Sequence, residues 1–179
     1  MERPFLEGTT INLRPLSVKD AEGEYVNWFN DAEVCQHNAH HVYPYNRALA
    51  EQYISDANRQ KQTMVLAITD KEGTHIGNVS LQSINYINRS AEFAILIGDK
   101  RYWGKGIAKE AGHLLLRHGF EALNLHRIYC GTAADNIAMQ KVALALGMCE
   151  EGRRREAVYK NGAYVDVIEY GILKEEFKT

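Results

Sequence analysis

Apolar and polar positions change their period several times along the chain. Residues 9–16 (TTINLRPL) alternate apolar and polar and close on a proline, which predicts a first strand. Ser17 with Asp20 three residues on makes a capping box with Asp in place of Glu, and predicts a helix to about Trp28 or Phe29. Residues 35–46 (CQHNAHHVYPYN) have no period and read as a loop, and a second helix is expected from about Arg47 to Asn58. Two β-rich runs, 63–69 and 75–83, are separated by DKEG and predict a hairpin. Residues 90–97 (SAEFAILI) read as a further strand whose apolar end predicts burial on both faces. From 105 to 122 the period becomes helical, with Ile107, Ala108, Ala111, Leu114, Leu115 and His118 on one face. Residues 127–132 (RIYCGT) return to strand, Asp135 or Asn136 opens another helix, and Gly147 ends it. Lys160-Asn161-Gly162 between two alternating runs, 153–159 and 163–172, is a hairpin signal.

The predicted order, β α α β β β α β α β β, is that of a mixed α/β fold around a central sheet. No repeat, low-complexity tract or Pro/Gly/Ser-rich linker divides the 179 residues, so one domain over 1–179 is expected. With 45% hydrophobic and 25% charged residues the chain can bury a core, which excludes a disordered chain or a disulfide-framed mini-protein. The net charge of −2 provides no basic field for phosphates, so no nucleic acid is expected as a partner. No apolar run approaches the roughly 20 residues that span a bilayer, and the N-terminal stretch MERPFLEGTT has no apolar signal core. Cys35, Cys130 and Cys149 are far apart and read as reduced, small, buried side chains. A cytoplasmic protein without membrane contact is the expectation, and a homodimer, the commonest symmetric assembly, stays open.

The chemistry concentrates in Arg101-Tyr102-Trp103-Gly104-Lys105-Gly106-Ile107-Ala108, between a strand and a helix. Glycines there let backbone approach a ligand, and a helix N-terminus suits an anion such as pyrophosphate. Steric need at a tight turn is the plainer explanation of the same glycines. The stretch is no P-loop, which needs GxxxxGK followed by Ser or Thr, and no dinucleotide fingerprint, since Lys109 stands at the third glycine position. It does match Arg-x-x-Gly-x-Gly.

On that motif the chain resembles the GCN5-related N-acetyltransferases (GNAT). Asn136 with Leu146-Gly147-Met148 resembles the family's next helix, and the element order matches throughout. The opening strand from Glu7 to Leu16 and the closing hairpin resemble the branch of ribosomal-protein alanine and spermidine acetyltransferases. The resemblance implies a splayed, mostly antiparallel sheet flanked by helices, with acetyl-CoA as co-substrate and an amine acceptor. It implies that the backbone from Arg101 through Ala108 holds the CoA pyrophosphate. Leu96 and Ile97 would pair with the pantetheine arm, and Asn136 would contact the cofactor, a plain helix N-cap being the other reading of that residue.

Direct transfer to an amine requires a neutral nucleophile, and a lysine-like amine is neutral about once in a few thousand at pH 7. Glu92, on the strand leading into the turn, is the candidate base through water, against its reading as an ordinary strand glutamate. Asp166 and Glu169 are candidates for attracting a cationic acceptor. Asn38, His40, His41 and Tyr43 are candidate acceptor-lining residues. The three histidines His37, His40 and His41 lack the spacing of a metal site, and no metal is expected. The branch's usual acids, Tyr or Ser, are replaced by Ala143 and Met139. Tyr129 and Cys130 lie nearby without an assignable role. The expected function is acetyl transfer to a protein N-terminus or a small amine such as an amino sugar. Polyamine acetylation, or a catalytically idle CoA-binding module, is the alternative.

Overall fold

The computed structural model describes residues 3–178; Met1 and Glu2, part of the stretch read above for a signal core, and Thr179 lie outside. Its strands are β1 (Leu6–Glu7), β2 (Ile11–Pro15), β3 (Met64–Asp70), β4 (His75–Asn85), β5 (Ser90–Ile97), β6 (Arg127–Ala133), β7 (Cys149–Lys160) and β8 (Ala163–Leu173). Its α-helices are α1 (Tyr25–Asn30), α2 (Arg47–Ala57), α3 (Ile107–Glu121) and α4 (Ile137–Ala145). The strands form one sheet in the order β1-β2-β3-β4-β5-β6-β8-β7. Every neighbouring pair is antiparallel except β5 with β6. This is the mixed, mostly antiparallel fold that the resemblance implied.

Strand alternation sends apolar side chains to both faces and so creates two cores. On the back face, Leu13, Ile68, Leu81, Phe93 and Ile128 pack against Ala111, Leu115 and Leu116 of α3 and Ala143 of α4. On the front face, Val65 and Ala67 pack against Tyr25, Trp28 and Phe29 of α1 and Ala50 and Ile54 of α2. No helix among the described residues is long and apolar enough to cross a membrane.

The first helix differs from its expectation. Ser17 and Asp20 do form a reciprocal capping box, but the segment they start, Val18–Glu22, is a short 3-10 helix. Gly23 then takes an extended conformation (φ −98°, ψ −152°), and α1 begins only at Tyr25. The break turns Trp28 and Phe29 onto the sheet. The end of β5 also differs: Ile95, Leu96 and Ile97 are half-buried. The cause is that β6 pairs with β5 only at Ser90, Ala91 and Glu92. Past the Glu92–Tyr129 rung the two parallel strands part and leave a wedge open through the sheet.

Candidate active site

The wedge has two arms. The β5 arm leads through Lys100–Tyr102 and the glycine turn into α3, and the β6 arm leads through Asp135 and Asn136 into α4. Gly98 N–H donates to the carbonyl of Ile76 (3.0 Å). With the β4–β5 register, this alternation gives Leu96's backbone groups to Asn78 and turns those of Ile95 and Ile97 toward the wedge. Of the two residues expected to pair with the pantetheine arm, Ile97 turns its backbone groups toward the wedge, as does Ile95, whereas Leu96 turns its own toward β4. The indole of Trp103 donates to the carbonyl of Ile97 (2.8 Å), which leaves the two N–H groups and the Ile95 carbonyl.

The turn is narrower as a cradle than expected. Arg101 N–H donates to Asp99 Oδ1 (3.0 Å), Tyr102 N–H to the Asp99 carbonyl (3.0 Å) and Trp103 N–H to the Lys100 carbonyl (3.1 Å). The guanidinium of Arg101 also turns back on Asp99 (2.6 Å) and, foremost among the causes, holds that carboxyl below its ordinary pKa. These three amides are spent inside the 3-10 turn. The N–H groups of Gly104, Lys105 and Gly106 have no acceptor among the described residues. Those of Ile107 and Ala108 start α3, where a helix offers none. Gly104 and Gly106 sit in the left-handed region (φ +71° and +79°), and no side chain caps α3. A Cβ on either would meet nothing within 4 Å, so backbone conformation rather than packing calls for glycine there. An open row of amides at an uncapped helix start fits a pyrophosphate.

On the other arm, Asn136 caps α4 by accepting from Met139 N–H (3.1 Å), and its side-chain NH2 keeps no acceptor among the described residues. Ala143 is fully buried in the back core and Met139 packs beside it, so neither supplies a proton-bearing group.

At the apex, Glu92 and Tyr129 stand side by side on the front face. Glu92 has no hydrogen bond or ion pair among the described residues. Its neighbours on that face are matched: Glu151 by Arg127, whose guanidinium also lies 5.7 Å from the Tyr129 ring, and Glu169 by Arg154 (2.5 Å). Glu169 folds over Gly131, where a Cβ would stand 3.2 Å from its carboxylate. Asp166, three residues from Glu169, falls on the back face and pairs with Arg153 (3.1 Å). Period-two alternation forces that separation, so the two acids cannot share one acceptor. Cys130 also faces back, its thiol 3.6 Å from Met148 Sδ, and burial pushes its pKa up to about 12. A thiol held protonated there is no nucleophile. Cys149, expected to be buried, is exposed at the start of β7.

The loop 31–46 crosses the front of the wedge. Asn38 Oδ1 accepts from His40 N–H (2.9 Å), and the His40 ring packs on Phe29 (4.6 Å). His41 is exposed and Tyr43 is 84% exposed. A cavity of about 150 Å³ does lie under the loop, against Ala133, Val158 and Val165, but the loop residues lining it are Gln36 and His37. His37 reaches Asp135 (3.3 Å), a partnership between distant segments that local sequence patterns do not encode. Among the described residues no cluster of three or more His, Cys, Asp or Glu could hold a metal ion.

A family model described as an acetyltransferase (GNAT) domain matches residues 10–149. The chain is 35% identical over 107 residues to the Bacillus subtilis (strain 168) protein named "Putative ribosomal N-acetyltransferase YdaF", covering 60% of this chain and 58% of that one. It is 38% identical over 110 residues to a spermidine N(1)-acetyltransferase of Vibrio cholerae, covering 62% of this chain and 63% of the relative. The matches thus span about three fifths of these two relatives. A solved structure of spermidine N-acetyltransferase from Vibrio cholerae, in complex with CoA and spermine, superposes with a TM-score of 0.84 at 30% identity, over 93% of this chain and 97% of that one.

Proposed function

The chain belongs to the acetyltransferase (GNAT) family, and on that premise we propose that it carries acetyl from acetyl-CoA to a primary amine with one charged end. A protein N-terminus, or a small amine such as an amino sugar, fits that description. One observation carries the acceptor half of this reading: Glu92 is unmatched at the rung where β5 and β6 part, whereas Glu151 and Glu169 beside it are held by arginines. One ammonium needs one unmatched carboxylate, and an extended polycation needs a second. To offer it, Glu169 would have to leave Arg154 and bring the arriving ammonium against a freed guanidinium.

Acetyl-CoA, when bound, supplies a thioester-activated acetyl group. The open amides of Gly104 to Ala108 suit its pyrophosphate, the N–H groups of Ile95 and Ile97 suit its pantetheine arm, and the Asn136 NH2 remains to donate. Glu92 has the task of taking a proton from the acceptor ammonium through water. An N-terminal α-amine, with pKa near 7.7–8.0, is already neutral roughly one time in ten at pH 7, far more often than a lysine-like amine. An N-terminus therefore asks less of a single carboxylate.

Release of CoA thiol across N-terminal peptides, polyamines, amino sugars, aminoglycosides and amino acids tests the reading. Turnover confined to monoamines is the expected result. Preference for spermidine would favour the second reading, polyamine acetylation, for which the spermidine acetyltransferases among the relatives speak. CoA binding without any turnover would leave a catalytically idle CoA-binding module. Glu92→Gln should lower kcat/KM about 10²- to 10⁴-fold at neutral pH, with the deficit shrinking as the amine deprotonates at higher pH. A variant indistinguishable from the parent at every pH would remove Glu92 from the reaction.

A further inference from the structure

The loop 31–46 is tied to both arms of the wedge. Its stem is closed by Asn30, whose side chain donates to the Tyr45 carbonyl (2.7 Å) and accepts from the Tyr45 N–H (2.9 Å). On the β5 arm, the Lys100 ammonium lies 2.8 Å from Asp31 and 2.5 Å from Glu33, at the loop's beginning. Lys100 immediately precedes the glycine turn. On the β6 arm, Asp135 lies 3.3 Å from His37, and Asp135 immediately precedes Asn136. Lys160 of the β7–β8 hairpin, which pairs with β6 through β8, donates to the His40 carbonyl (2.7 Å). Past the Glu92–Tyr129 rung no ladder joins the arms to each other. The loop is therefore a strap anchored on two elements whose separation the sheet does not fix.

We propose that Lys100 and Asp135 are positioning residues that couple the cofactor site to the acceptor loop. The inference rests on reading the wedge and turn as the acetyl-CoA site. A ligand held by Gly104 to Ala108 on one arm and by Asn136 on the other fixes the distance between the arms. It thereby fixes the distance between the loop's anchors, and the cavity walled by Gln36 and His37 takes its shape. Acceptor affinity then depends on prior occupation of the wedge, and by linkage the dependence is reciprocal. The Lys100 anchor is an ion pair at the surface, and the His37–Asp135 contact is a charge pair only with the imidazole protonated, so the coupling is modest and its Lys100 part is screened by salt.

The test is amide hydrogen exchange on the full chain, with and without saturating CoA. CoA should slow exchange across 31–46 by about threefold to tenfold, the range of a weak coupling. Lys100→Ala and Asp135→Ala should each lose most of that gain, while protection of 101–108 by CoA persists and Lys100→Arg restores the gain. High salt at saturating CoA should shrink the gain in the parent. The inference is overturned if CoA protects 31–46 equally in both alanine variants, or protects 101–108 in the parent without touching the loop. Absence of CoA binding by calorimetry, with no protection of 101–108, would instead overturn the cofactor reading, and the coupling would fall with it.

Discussion

Two arginine–carboxylate pairs sit on the same face of the sheet and do different work. Arg14 donates to Asp20 through both terminal nitrogens (2.9 and 2.6 Å), with the side chains 20% and 7% exposed. Arg154 meets Glu169 through a single nitrogen, with the side chains 64% and 29% exposed. The first pair lies under α1 and α2, where Asp20 also accepts from Ser17 N–H (2.8 Å) and lies 3.4 Å from His75. The second lies beside the wedge with water around it. Burial alone makes the first a fixture of the scaffold and leaves the second an adjustable charge at a binding surface.

The largest effect that could break this contrast belongs to Asp20. Burial acts to raise its pKa, but the Arg14 and His75 partners and the Ser17 amide prevail and hold it well below the usual carboxylate range. Asp20→Asn should cost about 3 kcal/mol of unfolding free energy at pH 7, read by denaturant titration, because it removes the anion from a buried pair. The sign of the pH dependence follows from the depressed pKa. The contribution is complete above the unfolded value near 4 and is lost as pH falls toward the lower folded value. The gap between parent and variant should stay constant above about pH 5 and narrow below pH 4. A gap that instead grew on acidification would mean that the carboxylate is not the stabilising form.

Asp20 also marks the limit of what local sequence encodes. Its place in the Ser17 box is legible because both partners lie three residues apart, whereas its pair with Arg14 spans six residues and its 3.4 Å approach to His75 exists only after β4 has joined the sheet. Strands β2 to β6 and β8, with α2, α3 and α4, are legible for the same local reason, since each has its own period and end signals. The two-residue β1 is too short to show a period and has no counterpart among the expected strands, and β7 begins at Cys149, ahead of the expected run 153–159. The break at Gly23 is not legible, because the capping box that starts Val18–Glu22 says nothing of where that turn stops, and Trp28 and Phe29 meet their core partners only in the folded chain. The glycine turn is legible as the strand-to-helix connection that opens α3, but the loss of its first three amides to a 3-10 turn is a matter of backbone geometry. The loop 31–46 is the least legible part: nothing near His37 in sequence points to Asp135, and nothing near Tyr43 marks it as 84% exposed.

A second contrast of satisfied and unsatisfied groups separates the two helix starts at the wedge. Asn136 caps α4 from within, whereas α3 begins at Gly106 with no side-chain cap. Gly106→Ala forces a side chain into the left-handed region, at a cost of about 1–2 kcal/mol. Its Cβ would meet nothing within 4 Å, so the strain can be relieved only by rotating the turn's amides. CoA affinity measured by calorimetry should fall about 5- to 30-fold. Asn136→Ala should chiefly cost stability, about 1 kcal/mol for a lost cap. If Asn136→Ala weakened CoA more than Gly106→Ala, the β6 arm would be the principal cofactor anchor and the contrast would be reversed.

The smallest change sharpens the first comparison most directly. Arg154→Ala removes an exposed partner, so stability should stay within about 0.5 kcal/mol of the parent. The charge landscape should nevertheless change, because Glu169 becomes a second unmatched carboxylate on the face that carries Glu92. A polyamine then finds two carboxylates, and the guanidinium that opposed its second ammonium is gone. The ratio of kcat/KM for spermidine to that for an N-terminal peptide should rise about three- to fivefold at low salt and return toward the parent value as salt screens the pair. An unchanged ratio would mean that Glu169 does not face the acceptor. Selectivity would then rest on Glu92 and the loop rather than on the row of matched charges.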